Sequence, residues 1–267
     1  MEQDAVSREQ AIALLPESWR SELIGARWAP VDSQSGAAVW RVRHPTLRER
    51  FLKLGTGSCA QAIRREIERT AWLHSQSVNV PPVLQAVTAP DFAAVLFAAL
   101  PGEPLDSCRL PPGAIIPVLA RAFSRLHSLA AADCSFDEGM QTRLERAKEA
   151  IAAGAVDRAQ FDDRNADKSP EDLFAQLTTK VPVPEPPVVV HGDATFSNLL
   201  FDPAQQIGFV DCGNCGRADR YVDLSLLAAE IGERYGTEWI EVFCRSYGLP
   251  GWDRARQDFY LDLYEFF

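Results

Sequence analysis

Short apolar runs, separated by turn residues such as glycine and proline, dominate the first hundred residues of the chain. Runs of this kind predict β-strands. The four clearest are Ala37–Val42, Arg50–Leu54, Val83–Thr88 and Phe92–Phe97. One segment, roughly Ser58–Ser75, instead repeats its apolar residues at helical spacing, with Ser58 as the expected N-cap. The front of the chain is therefore predicted to be a sheet with a helix.

The pattern becomes helical after Leu100–Pro104, where proline and glycine interrupt the chain. Pro117 must lie in the first turn of its helix or mark a later start, because an interior proline removes a hydrogen bond. The predicted helices are Ala114–Ala131, Leu144–Ala153 and Pro170–Leu177, followed by short strands at Val188–His191, Asn198–Phe201 and Ile207–Val210 and then by helices to the end. This order predicts an α+β protein with an N-lobe (residues 1–97), a hinge (98–104) and a larger C-lobe (105–267).

Composition narrows the class of protein. The chain has 267 residues, 46% of them hydrophobic, which is enough for a packed core. No stretch approaches the roughly 18 apolar residues of a membrane helix, and residues 1–20 lack the pattern of a signal peptide. We therefore expect a soluble cytoplasmic protein with reduced cysteines and no membrane partner. A net charge of −10 argues against nucleic acid as a partner and is compatible with a cationic substrate.

The strongest chemical signal is the segment His191-Gly192-Asp193 to Asn198, followed by Asp211-Cys212-Gly213. Short strands on either side should bring Asp193, Asn198 and Asp211 together at strand ends. Carboxylate and amide oxygens suit Mg²⁺, and an Asp followed five residues later by an Asn is the spacing of a kinase catalytic loop. The pattern predicts phosphoryl transfer with Asp193 as the catalytic base and Asn198 and Asp211 as metal ligands. The alternative, that both aspartates only cap turns, leaves this combined spacing unexplained.

A kinase-type site also needs a lysine on a strand to hold the nucleotide phosphates, paired with a glutamate on a helix. Lys53 lies between apolar residues of a predicted strand, and Glu66 follows thirteen residues later in the middle of the predicted helix. Glu68 is a rival in the same helix, but its helical face is less suitable. The small-residue turn around Ser35 could close over the phosphates. These residues predict a nucleotide as the phosphoryl donor. ATP is the expected donor, and GTP stays open as an alternative.

From His191 to Leu224, and again at the closing Leu263–Phe267, the sequence resembles the aminoglycoside 3′-phosphotransferases, a branch of the kinase-like antibiotic phosphotransferases. The resemblance runs nearly end to end. It implies a two-lobed protein-kinase-like fold, with a nucleotide-binding N-lobe and a catalytic, drug-binding C-lobe. It also implies ATP- and Mg²⁺-dependent phosphorylation of the 3′-hydroxyl of an aminoglycoside, which confers antibiotic resistance.

The resemblance also assigns residues beyond the base, the metal ligands and the Lys53–Glu66 pair. Ser35 matches a phosphate-loop serine. The backbone at Phe97, Ala98 and Leu100 matches the segment that binds adenine. Carboxylates for the drug match at Asp162, Asp163, Glu230, Glu233, Glu265 and the terminal carboxylate of Phe267. The sequence departs from the family pattern at Gln160, Asn214, Ala229 and Tyr264, which affects the expected range of drugs more than the transfer itself.

Other functions remain open at this point. A kinase of the same fold could act on a choline-like, sugar-amine or macrolide-type alcohol, although those relatives lack the closing Glu265-Phe266-Phe267. A binding module without turnover would not need the complete set of Lys53, Asp193, Asn198 and Asp211. Protein kinase activity is disfavoured because no Ala-Pro-Glu segment follows Asp211. The predicted partner is therefore a small molecule, with no obligate protein partner evident.

Overall fold

The computed structural model describes residues 8–31, 36–202, 204 and 206–267. The chain divides into two compact units. The first runs to Gly102 and also includes Gly208–Gly213, and the second comprises Glu103–Ile207 and Asn214–Phe267. The segment that carries Asp211 therefore belongs to the first unit, although it lies late in the sequence.

The first unit is an antiparallel five-stranded sheet with helices on its two faces. Its helices are α1 (Arg8–Leu14), α2 (Glu17–Glu22) and α3 (Gly57–Ser75). Its strands, in the sheet order β1-β2-β3-β5-β4, are β1 (Arg27–Val31), β2 (Ala38–Arg43), β3 (Arg50–Thr56), β4 (Val83–Ala89) and β5 (Phe92–Ala98). Because side chains alternate along a strand, Leu52 and Leu54 of β3 pack with α1 and α2 on one face. Phe51 packs on the opposite face with α3, and Lys53 shares that face.

The start of α3 differs from the prediction. The helix begins at Gly57, so Ser58 lies inside it, and the prediction of Ser58 as N-cap is wrong. The N-cap residue is Thr56, whose side chain makes no capping hydrogen bond. The N–H of Gly57 instead donates to Oδ1 of Asp91 at 2.9 Å. A side chain from the turn between β4 and β5 therefore satisfies this helix end, and local sequence around Ser58 could not show it.

The second unit is mainly helical. Its helices are α4 (Pro112–His127), α5 (Met140–Ala152), α6 (Pro170–Thr178), α7 (Tyr221–Tyr235), α8 (Glu238–Tyr247) and α9 (Arg254–Tyr264). Its strands are β6 (Glu103–Pro104), β7 (Val188–Val190), β8 (Leu199–Asp202), β9 (Gln206–Phe209), which continues into the first unit, and β10 (Gly216–Ala218). β7 pairs antiparallel with β10, and β6, β8 and β9 form a second small sheet. The first two turns of α7, Tyr221–Ala228, are buried, and α7 packs against both α8 and α9.

Helix α4 corrects the expectation for Pro117. The helix begins at Pro112, so Pro117 lies in its second turn, and it ends at His127 rather than at Ala131. Pro112 fits the first position because the N–H that it lacks would be unpaired there anyway. The interior Pro117 is tolerated because α4 buries an apolar face against its neighbours, which offsets one missing backbone hydrogen bond.

The elements confirm the predicted α+β class, with a β-rich front and a helical back. Across residues 8–31, 36–202, 204 and 206–267, no helix combines the length and apolar character needed to cross a membrane.

Candidate active site

The first unit brings three of the predicted residues into direct contact. Lys53 on β3 donates to Oε1 of Glu66 on α3 at 2.8 Å and also to Oδ1 of Asp211. Arg69, one turn after Glu66 on α3, donates to the carbonyl of Gly213 at 2.7 Å. Helix α3 thus holds both the lysine and the Asp-x-Gly segment. The choice of Glu66 over Glu68 as the lysine's partner agrees with this geometry.

Burial and neighbouring charges have opposing effects on the pKa values of Lys53 and Glu66. Burial alone would lower the pKa of Lys53, but the carboxylates of Glu66 and Asp211 outweigh it and raise that pKa above its ordinary value. Burial, together with the charge of Asp211, raises the pKa of Glu66, and Lys53 opposes that rise. Asp211 remains half exposed and has a positive φ of 57°. A non-glycine residue in the left-handed region costs roughly 1–2 kcal/mol, a strain typical of functional segments.

The backbone N–H groups of the segment after β5 differ in whether they donate hydrogen bonds to other backbone groups. The N–H of Ala98 donates to the carbonyl of Pro82 at 3.0 Å, and the N–H of Ala99 donates to the carbonyl of Glu49 at 3.0 Å. Within the part of the chain that the structure describes, the N–H of Leu100 donates to no backbone carbonyl. Phe97 is buried in the face that packs against α3. Of the residues predicted to bind adenine, Leu100 therefore has the available backbone donor. Ser35 falls outside the described residues.

In the second unit, Asp193 and Asn198 lie on one compact loop between β7 and β8. Both hydrogens of the Asn198 amide are used by Asp193: Nδ2 donates to its carbonyl at 3.0 Å and to Oδ2 of its carboxylate at 2.9 Å. The orientation of the amide is thereby set, and its oxygen, the atom that binds metals, points away from Asp193. The N–H of Asp193 donates to Nδ1 of His191 at 3.3 Å.

Asp223 on α7 holds the first residues of the same loop. Its carboxylate is completely buried and accepts hydrogen bonds from the N–H of His191 at 2.7 Å and from the N–H of Gly192 at 2.8 Å. Nε2 of His127 donates to the same carboxylate at 3.0 Å, and Nδ1 of His127 lies 2.7 Å from the hydroxyl of Tyr247. Burial would raise the pKa of Asp223, but these hydrogen bonds and the histidine charges outweigh it and lower that pKa.

Sequence reasoning did not assign Asp223 a role, although a signal was present. Asp223 is a lone charge in the run Tyr221–Ala228, which is otherwise apolar apart from Ser225. A charge at such a position must have partners when the helix is buried. Arg143 on α5 was also missed. It is buried, and it donates to the carbonyl of Gly192 at 3.1 Å.

The C-terminal end of α9 reaches the loop between β7 and β8 that carries Asp193. The hydroxyl of Tyr264 donates to Oδ1 of Asp193 at 2.7 Å. The guanidinium of Arg143 lies over the ring of Phe267, at 5.7 Å from its centroid. Glu230 on α7 lies near the N–H of Phe196, a residue of the loop between β7 and β8. Burial raises the pKa of the Glu230 carboxyl, the N–H of Phe196 opposes that rise, and the charge of Glu233 adds to it.

Glu265 holds the acidic loop, which comprises residues 157–167. The carboxylate of Glu265 accepts hydrogen bonds from the N–H of Asp162 at 3.0 Å and from Nδ2 of Asn165 at 2.9 Å. Asp162 keeps its own carboxylate exposed beside Arg164. Asp163 and Glu233 are exposed, and neither forms a hydrogen bond or ion pair with another predicted site residue in the described part of the chain.

Comparison of the chain with known proteins identifies its family. Residues 27–257 match the model of the phosphotransferase enzyme family. The chain belongs to that family. It is 33% identical over 253 residues to an aminoglycoside 3′-phosphotransferase from Escherichia coli, with 92% of this chain and 93% of that protein covered.

Solved structures agree with this membership. The structure of an aminoglycoside 3′-phosphotransferase of type VIII is similar with a TM-score of 0.84 and 32% identity, covering 94% of this chain and 97% of the other. A complex of the phosphotransferase APH(3″)-Id from Streptomyces rimosus with ADP and streptomycin gives a TM-score of 0.77 and 29% identity, covering 90% and 92%. The predicted kinase-like fold and the resemblance to aminoglycoside 3′-phosphotransferases are confirmed. The role of each site residue stays a prediction.

Proposed function

We propose that this phosphotransferase moves the γ-phosphoryl group of ATP to the 3′-hydroxyl of an aminoglycoside and so confers resistance to the drug. One observation carries the proposal. The chain matches a 3′-phosphotransferase over 92% of its length, and it carries the residues to which we assign the base, the metal ligands and the phosphate-binding lysine: Asp193, Asn198, Asp211 and Lys53. We assign the protein to the cytoplasm, where ATP is available.

The chemical step assigned to Asp193 is proton acceptance. As the drug oxygen forms a bond to the γ-phosphorus, its proton passes to the Asp193 carboxylate. The bond between that phosphorus and the bridging oxygen of the β-phosphate breaks, and its electron pair leaves with ADP. The contacts from Asn198 and Tyr264 fix the carboxylate before the reaction, so little reorganisation is needed when the proton moves.

Three residues are assigned to the nucleotide. Lys53, held by Glu66, neutralises charge on the α- and β-phosphates of ATP. The backbone N–H of Leu100 donates to adenine, because the N–H groups of Ala98 and Ala99 are already used.

Asn198 and Asp211 are assigned as ligands of Mg²⁺. The fit rests on their chemistry: Asp211 supplies a half-exposed carboxylate, and the Asn198 amide turns its oxygen away from Asp193. When bound, the ion offsets negative charge that develops on the phosphate oxygens. Lys53 contacts Asp211 and so places a second positive charge at this carboxylate.

Carboxylates of the second unit are assigned to the drug, which carries several ammonium groups. Glu230 lies near the N–H of Phe196, in the same loop as Asp193. Asp162 and Asp163 present exposed carboxylates on the acidic loop, and Glu233 adds a further charge to α7. Each charge-assisted hydrogen bond to an ammonium group contributes roughly 1.5–3 kcal/mol. Glu265 and Phe267 complete the assigned set.

The test is an assay of the purified protein with ATP, Mg²⁺ and kanamycin or neomycin. We expect a phosphorylated drug by mass spectrometry, with the phosphate located on the 3′-oxygen by NMR. Streptomycin belongs in the same assay, because the similar enzyme from Streptomyces rimosus was solved with it. Turnover of another hydroxylated metabolite without phosphorylation of any aminoglycoside would refute the proposed substrate.

The role of Asp193 is tested by Asp193→Asn, which keeps the shape of the side chain but not its basicity. We expect turnover to fall by about 10²–10⁴-fold. Asp253→Asn is the matched control, because the Asp253 side chain caps α9 through the N–H of Arg256 and pairs with the guanidinium of the same residue at 3.6 Å, and both contacts are local to α9. Turnover of Asp193→Asn near that of the control would remove Asp193 from its assigned role.

A further inference from the structure

We infer that Tyr264 is a positioning residue for the base: its hydroxyl holds the Asp193 carboxylate in the orientation from which it accepts the proton of the substrate. The inference deepens the proposed function and rests on it, because it takes Asp193 to be the base.

The first observation is that the Asp193 carboxylate is held from two sides. Tyr264 donates to Oδ1 at 2.7 Å, and Asn198 donates to Oδ2 at 2.9 Å. With one donor on each oxygen, rotation of the carboxylate about its bond to Cβ would break both hydrogen bonds. Each oxygen still keeps a second lone pair, so the carboxylate can accept a proton while both donors stay in place. The two donors therefore orient the base without occupying all of its acceptor sites.

The second observation is that Tyr264 is delivered by a packed structure. It is the last residue of α9, between the buried Leu263 and Phe266. Phe266 packs edge-to-face against Phe161 and Phe174, with ring centroids 6.4 Å and 5.9 Å away. The N–H of Phe267 donates to the carbonyl of Tyr264 at 3.1 Å and closes the helix end. The phenol therefore approaches Asp193 from a fixed backbone, as positioning of the base requires.

The third observation is that the phenol is the donor in its hydrogen bond with Asp193. Burial and the neighbouring charge of Asp193 raise the pKa of Tyr264 above its ordinary value, so its hydroxyl keeps its proton. A carboxylate oxygen can only accept. The direction of the hydrogen bond follows from the chemistry of the two groups.

The chain supplies a matched control on the same helix. Tyr260 lies one turn earlier on α9, is buried, and has its hydroxyl beside Asp219 rather than Asp193. Tyr264→Phe and Tyr260→Phe each remove one hydroxyl from α9 and leave the ring. Only Tyr264→Phe removes a contact to the base.

The experiment measures kcat and KM for kanamycin and for ATP in the wild type and in both variants, with melting curves for each. A hydrogen bond to a charged group contributes enough that its loss corresponds to about a tenfold change or more. We expect kcat of Tyr264→Phe to fall about tenfold, with both KM values within about twofold of wild type. Tyr260→Phe should change the melting temperature and leave kcat within about twofold.

A conservative replacement separates positioning from general damage to the fold. 3-Fluorotyrosine at position 264 keeps the ring and the donor, and we expect it to retain kcat within about twofold. An unchanged or increased kcat in Tyr264→Phe would overturn the inference, and so would an equal loss in Tyr260→Phe. A wild-type protein that phosphorylates no aminoglycoside would refute the proposed function instead, so the two failures are distinguishable.

Discussion

A methyl group added at Gly192, the residue before the assigned base, should lower both the stability and the activity of the protein. Its φ is +89°, and a Cβ atom added there would lie 2.0 Å from the carbonyl oxygen of Asn214 and 2.6 Å from its carbonyl carbon. Both are backbone atoms, so no side-chain rotation can relieve the overlap. The loop cannot easily retreat, because Asp223 accepts from the N–H of Gly192 and Arg143 donates to its carbonyl.

The size of the effect follows from these distances. Cβ contacts under 3.0 Å are essentially never seen, so Gly192→Ala requires Gly192 and Asn214 to move apart by about 1 Å. Such overpacking costs about 1–3 kcal/mol, in addition to roughly 1–2 kcal/mol for a non-glycine residue at positive φ. The displaced residue adjoins Asp193, and a 1 Å misplacement of a reacting group costs on the order of 10²-fold in rate.

Gly248 is the matched control for this substitution. Its φ is +90°, nearly the same as that of Gly192, but an added Cβ would meet nothing within 4 Å. The backbone cost is therefore shared by Gly192→Ala and Gly248→Ala, and only the overlap differs. We expect Gly192→Ala to be less stable than Gly248→Ala by about 1–3 kcal/mol in urea unfolding, and its kcat/KM to be on the order of 10²-fold lower. Equal stability and equal activity of the two variants would refute the reasoning.

Two further substitutions test the contacts of Asp223 with the loop of Gly192 and of Glu265 with the acidic loop. Asp223→Asn should cost about 3–5 kcal/mol, because it breaks a buried charged cluster, while Asp253→Asn should cost less than about 1 kcal/mol in the same unfolding assay. Because the folded pKa of Asp223 lies below its ordinary value of 3.8, its stabilisation is present above about pH 4 and is lost as the pH falls through the folded pKa. The stability of Asp223→Asn should therefore depend less on acid than that of the wild type. Glu265→Ala should raise the KM for kanamycin about tenfold and leave the KM for ATP unchanged in steady-state assays, because it releases the N–H of Asp162 and the loop that carries it.

The contacts predicted correctly from the sequence are those that a periodic pattern determines. Alternation along β3 puts Lys53 on the face that α3 covers, and helical spacing places Glu66 rather than Glu68 toward it. Asp193 and Asn198 were also predictable as neighbours, because they lie five residues apart on one short loop. In each case the information is local or repeats along one element.

Contacts between elements distant in sequence were not predictable in this way. Tyr264 and Asp193 are 71 residues apart, and nothing in the spacing of either residue indicates the other. Asp91 accepts from the first N–H of α3 although it lies 34 residues away in sequence, and for that reason the local sequence wrongly predicts Ser58 as the N-cap. Such contacts depend on how distant elements pack against each other, and the periodic pattern of a single sequence does not show this packing.

Residues 264–267 form contacts within the protein in addition to the role in drug binding that is predicted for two of them. Sequence resemblance assigns Glu265 and Phe267 to the drug, yet the structure also gives them partners within the protein. Tyr264 contacts the assigned base, Glu265 holds the N–H of Asp162, and the ring of Phe267 lies under Arg143. The end of α9 therefore connects the loop that carries Asp193 and the acidic loop to one packed segment. A drug that binds the acidic loop would bind a surface whose position is already fixed relative to the assigned base. The entropic cost of aligning the drug hydroxyl with that base would therefore be smaller.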